Sequence, residues 1–120
     1  MPTPDEISPN GLSPKDIFLE KLAEHSSDEE LPRFPLGQVV ATPGALSVLA
    51  SLNVSPWTLL ARHVRGDWGE LDDHDWRENE RALTEEARLL SVYTLAGETR
   101  IWIITEADRS ATTLLLPQDY

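Results

Sequence analysis

His63 and the acids that follow it are the residues of this chain best placed to do chemistry. Asp67 follows His63 by four residues, the spacing that stacks two side chains on one helix face. There Asp67 would orient the imidazole as a general base. Glu106 supplies a second carboxylate from a polar stretch farther on. A small hydrolase or nuclease using His63, Asp67 and Glu106 is therefore one function the sequence admits. Two features weigh against it. Gly66 is expected to end the helix before Asp67, and His63 stands beside Leu60 and Val64, where a histidine also serves as a core or capping residue. No serine lies in a nucleophile-elbow pattern. The absence of cysteine removes thiolate nucleophiles and Cys-based zinc sites. No cofactor is expected.

Residues 67–80 hold seven acids and one base. They read as a solvated helix start whose acids cap and solubilise it. Metal binding would draw on Asp67, Glu70, Asp72, Asp73 or Asp75 with His63 or His74. Calcium loops, however, need ligands at alternate positions and a glycine at the sharp turn. Here Gly66 and Gly69 precede the acids, so no metal is expected. Mimicry of a nucleic-acid backbone would need an unbroken acidic stripe, but helical spacing puts Arg77 between Asp73 and Glu80. Trp68, between the two glycines, reads equally as core or as an interface anchor. Residues 105–110 (TEADRS) form a polar corner. It is either a turn tied by Asp108, Ser110 and an Arg109–Glu106 pair, or a displayed recognition corner. The candidate interaction residues are Asp67, Trp68, Glu70, Asp72, Asp75, Glu106, Asp108 and Arg109.

The elements that must position these residues can be read from caps and breaks. At 120 residues the chain is one domain at most. Residues 1–33 are rich in proline, serine and acids. They read as a flexible tail with a short amphipathic helix from Ser13-Pro14 to Ala23, bearing Ile17, Phe18, Leu19 and Leu22. The ordered domain is expected over 34–120. A strand spans 36–41. Thr42-Pro43 opens a helix to about Leu52, with Asn53 as a left-handed stop. Ser55-Pro56 opens another, ended by Gly66. Asp72 caps a third, with Asp75 at its third position and Leu71 stapling Trp76. Strands follow at 88–95, 99–106 and 112–116. The expected fold is α+β: a three- to four-stranded antiparallel sheet with three helices packed on one face and a flexible N-terminal tail.

Net charge is −11. The tail carries eight acids and three bases, and the remainder thirteen acids and seven arginines. Direct nucleic-acid binding is thereby disfavoured, as is binding to anionic membranes. Residues 45–63 superficially follow a helix-turn-helix, which would make the chain a DNA-binding regulator displaying Arg62 and Arg65. Leu49 is bulky where close helix approach favours a small residue, and Arg62 replaces an apolar anchor. No apolar run nears the roughly 18–20 residues that span a bilayer. The N-terminus has no secretion signal, so a cytoplasmic location is expected.

Val40-Ala41-Thr42-Pro43-Gly44-Ala45-Leu46, Leu60-Ala61-Arg62-His63, Gly66-Asp67-Trp68-Gly69-Glu70-Leu71, Arg88-Leu89-Leu90-Ser91-Val92-Tyr93 and the stretch from Trp102 to Ser110 (WIITEADRS) together resemble an uncharacterised family of small acidic proteins encoded on bacterial plasmids and integrative elements. The resemblance covers residues 36–120 and implies a mobile-element setting rather than an activity. The leading expectation is a non-enzymatic accessory factor of mobile DNA that binds another protein. Its most concrete version is an inhibitor of a host restriction or CRISPR system.

Overall fold

A computed structural model describes residues 31–120 of the chain. The tail expected over 1–33, with its helix from Ser13, lies outside the described residues except for its last three. The order of elements is β1 (Gln38–Ala41), α1 (Pro43–Ser51), α2 (Pro56–Val64), α3 (Asp73–Glu85), β2 (Leu89–Thr94), β3 (Arg100–Thr105) and β4 (Ala111–Leu115), then a short 3₁₀ turn, Pro117–Asp119.

Each helix starts where its local chemistry dictates. Thr42, Ser55 and Asp72 are N-caps whose side chains accept from the backbone N–H of Ala45, Trp57 and Asp75. Proline occupies the first turn of α1 and α2, where its missing N–H costs nothing. Asn53 takes φ +56° between those helices. Their axes bend by 110°, and among the described residues no single helix is long and apolar enough to cross a membrane.

The strands form a four-stranded sheet in the order β1-β4-β3-β2. β2, β3 and β4 make the antiparallel meander that the short turns require. β1 corrects the expected all-antiparallel sheet, because it runs parallel to β4, with Val39 opposite Thr112 and Ala41 opposite Leu114. A parallel pair needs a long crossover, and here residues 42–110 provide it. The Gln38 N–H donates to the Ser110 carbonyl and the Thr42 N–H to the Leu114 carbonyl, pinning both ends of β1.

The core takes alternate strand positions. Val39, Leu89, Tyr93, Ile101, Ile103 and Leu114 join Ala45, Leu49, Leu59, Leu60, Val64, Trp68 and Ala82 in one buried cluster, with Phe34 and Leu36 from the entering chain. Leu90, Trp102, Ile104 and Leu115 occupy the intervening positions and are not members of it. The outer edge of β2 is closed by side chain and loop. The Leu90 N–H donates to Asn79 Oδ1 (3.1 Å), and Asn79 Nδ2 donates to the Leu90 carbonyl. Two residues on, the Val92 N–H donates to the Trp68 carbonyl and the Glu70 N–H to the Val92 carbonyl. Gly69 lies between those two contacts at φ +77°, and any Cβ there would run into the Val92 carbonyl.

Candidate functional site

His63 sits on the inner face of α2 and is fully buried. Its Nδ1 lies 2.6 Å from Ser91 Oγ and its Nε2 2.9 Å from Thr105 Oγ1. The direction of every proton here follows from one carbonyl. Thr112 Oγ1 donates to the Leu36 carbonyl at 2.8 Å, which spends its proton. Thr105 must then donate to Thr112, 2.7 Å away. Thr105 therefore accepts from His63 Nε2–H, and Nδ1 accepts from Ser91. The ring is a neutral Nε2–H tautomer in a closed chain. Burial pushes its pKa down to about 3, and the Arg109 cation adds to that depression. Phe34 and Trp68 meet the ring edge-on, with centroids 5.2 and 5.6 Å away.

Asp67 and Glu106 do not reach this imidazole, since Ser91 and Thr105 take up both of its nitrogens. α2 ends at Val64, and Gly66, at φ +87°, turns the chain away, so the four-residue spacing never becomes a helical contact. Asp67 instead accepts from Arg62 Nε at 2.7 Å and from the Gly69 N–H at 3.1 Å. Burial opposes its ionisation, but these two donors outweigh that and hold its pKa below the usual carboxylate range. Arg62 also lies over the Tyr93 ring, 4.5 Å from its centroid. Glu106 faces Arg88 at 3.6 Å.

Trp68 is a core residue, which corrects its place on the interaction surface. It is fully buried and stacks near Phe34. Its indole N–H donates to Glu80 Oε2 at 2.9 Å. The β2-edge contacts on either side of Gly69 draw the loop inward and carry the ring with it. Glu80 is bound as well by both terminal nitrogens of Arg33. The Arg33 hydrogen bonds lower its pKa, partly offset by burial, and the Trp68 N–H lowers it further.

Arg109 also departs from expectation. Its side chain does not pair with the Glu106 carboxylate. It donates instead to the carbonyls of Ala82 (2.9 Å), Ala87 (2.7 Å), Glu106 (3.1 Å) and Ala107 (3.1 Å). Arg109 itself takes φ +62°. It thus closes the C-terminal end of α3, where Glu86 holds a left-handed cap. No sequence signal marked this role, because the Ala82 and Ala87 carbonyls come from another part of the chain. Asp108 is exposed and accepts from the Ser110 N–H. Its pKa is lowered by the Ser110 hydroxyl first and then by that N–H.

A run of solvent-facing carboxylates lies at and just before the start of α3. Glu70, Asp72, Asp73, Asp75 and Glu78 are all exposed. Asp72 accepts from the Asp75 N–H at 2.8 Å as the helix cap. Ligand atoms of Asp72, His74 and Asp75 lie within 4.8 Å of one another. All three are exposed, and the cap and the helix dipole account for the acids. Leu71 and Trp76, the expected staple pair, are half-buried against the core. No family model, curated protein or solved structure matches the chain.

Proposed function

We propose that the protein is a non-enzymatic binding factor that presents an acidic face to a basic surface on another protein. Its setting would be the cytoplasm of a bacterium carrying a mobile element, and inhibition of a host restriction or CRISPR system is the most concrete form of the activity. The observation that carries this reading is how the acids of residues 67–80 divide. Asp67 and Glu80 are spent on Arg62, Arg33 and Trp68, whereas Glu70, Asp72, Asp73 and Asp75 face solvent from a fixed frame. That frame is held by the Asp72 cap, by Asn79 on Leu90 and by Glu70 on Val92. Carboxylates displayed on a rigid element steer association and set register. The reading places the helices on one face of the sheet, so that this acidic end stands clear of the other face.

The alternatives draw less support. A hydrolase or nuclease through His63 would need a solvent-reachable imidazole, and His63 is sealed. A helix-turn-helix regulator would need α2 to offer a reading face, yet Leu59, Leu60, Ala61, His63 and Val64 are buried, and Arg62 is bound to Asp67.

The test is affinity purification of the full chain from a host carrying such an element, wild type beside Glu70→Lys/Asp75→Lys. This variant leaves the Asp72 cap intact. The expected result is one near-stoichiometric protein partner, released by rising salt and bound at least tenfold more weakly by the variant, a loss of about 1.4 kcal/mol or more. A partner held equally by both proteins removes the acidic face from the reading, and a chain that purifies alone removes the binding role.

A further inference from the structure

The sheet positions left out of the core cluster form an apolar surface of their own. Leu90, Trp102 and Ile104, with Arg88, Leu89 and Tyr120, line a hollow of about 260 Å³. Leu115 stands opposite Trp102 in the ladder and extends the surface onto β4. Tyr120 reaches back to it, with its ring 5.7 Å from Trp102 and its hydroxyl accepting from Arg88 Nη1 at 3.2 Å. Yet Tyr120 is itself 70% exposed and so covers only one side. Leu90 and Trp102 are half-buried, and Ile104 and Leu115 lie deeper, at 7% and 6% exposure.

We propose that this surface is the docking site for the chain's own residues 14–23. Thirty residues precede the described part of the chain. In the helix that the sequence predicts from Ser13-Pro14, Phe18, Leu19, Leu22 and Ala23 would share one side, with Ile17 off it. A helix of ten residues is marginal alone in water and gains its stability from burying an apolar stripe. Arg33 is pinned by the Val64 carbonyl and Glu80, and the nine residues 24–32 can span up to about 30 Å when extended. Charge is compatible as well. The hollow is rimmed by the Arg88 cation, and the segment carries Asp16 and Glu20 beside its apolar residues. This inference is independent of the acidic binding face.

The absence of cysteine makes one introduced thiol unique. A nitroxide label on Lys21→Cys, on the polar side of the segment, is expected to cause loss of the Trp102 indole signal and the Ile104 methyl signal, and to spare the Ala50 methyl on the exposed side of α1. Adding Phe18→Asp and Leu22→Asp to the labelled chain should restore both signals, with the Trp57, Trp68 and Trp76 indoles unmoved as proof of the fold. Uniform or absent broadening overturns the proposal. Broadening that passes from labelled to unlabelled copies in a mixed sample overturns it too, since the occupant is then a second copy.

Discussion

His63 shows how a single carbonyl can decide a proton's position several side chains away. Because Leu36 offers only an acceptor, the chain through Thr112 and Thr105 leaves the histidine no freedom of tautomer. The ring nitrogen spectrum should therefore show a neutral Nε2–H form that does not titrate between pH 8 and about 4. A midpoint near the ordinary histidine value would contradict it. The same burial couples pH to stability. The folded pKa, about 3, lies below the ordinary 6.5, so the unfolded chain binds the extra proton more readily. This contribution is complete above about pH 6.5 and falls by about 1.4 kcal/mol per unit as pH drops toward 3. Urea unfolding from pH 7 to pH 4 measures that slope, and His63→Phe should flatten it.

At the scale of elements, β2 is the strand most dependent on side-chain chemistry. Asn79 supplies both a donor and an acceptor to Leu90 where another strand would otherwise have paired. Asn79→Ala leaves two backbone groups unpartnered and should lower unfolding free energy by about 2 kcal/mol, read as a fall in the urea midpoint. A change within a few tenths would show that water replaces the amide. The helix starts were legible in the sequence because a cap and its proline act within a few residues, as at Thr42-Pro43 and Ser55-Pro56. The meander was legible for the same reason. The β1–β4 pairing was not, because its partners are over seventy positions apart, as Val39 and Thr112 are, and no local signal separates a parallel from an antiparallel edge. The site divided in the same way. Asp72 as a cap was readable, whereas the burial of Trp68 and the carbonyl contacts of Arg109 depend on segments that meet only in the folded chain.

For the whole molecule, charge is the dominant global term. The chain carries −11, and among the described residues the ion pairs include Asp67 with Arg62, Glu80 with Arg33, Glu78 with Arg81 and Glu106 with Arg88. These pairs are substantially exposed and contribute little each, so self-repulsion among the remaining acids outweighs them. Raising sodium chloride from about 10 mM to about 150 mM shortens the Debye length from roughly 30 to 8 Å. It should raise the melting temperature by several degrees. A fall on adding salt would mean that the ion pairs matter more than the repulsion.

The place of β4 in the sheet has a consequence for synthesis. Of the four described strands, the one made last is an inner one, flanked by β1 and β3. A chain broken off before residues 111–115 therefore has a β1 with no neighbour and a β3 with a bare edge carrying Ile101, Ile103 and Ile104. Such an edge is a template for pairing with other chains. A message broken just upstream of those codons would yield a sticky fragment rather than a shorter version of the fold.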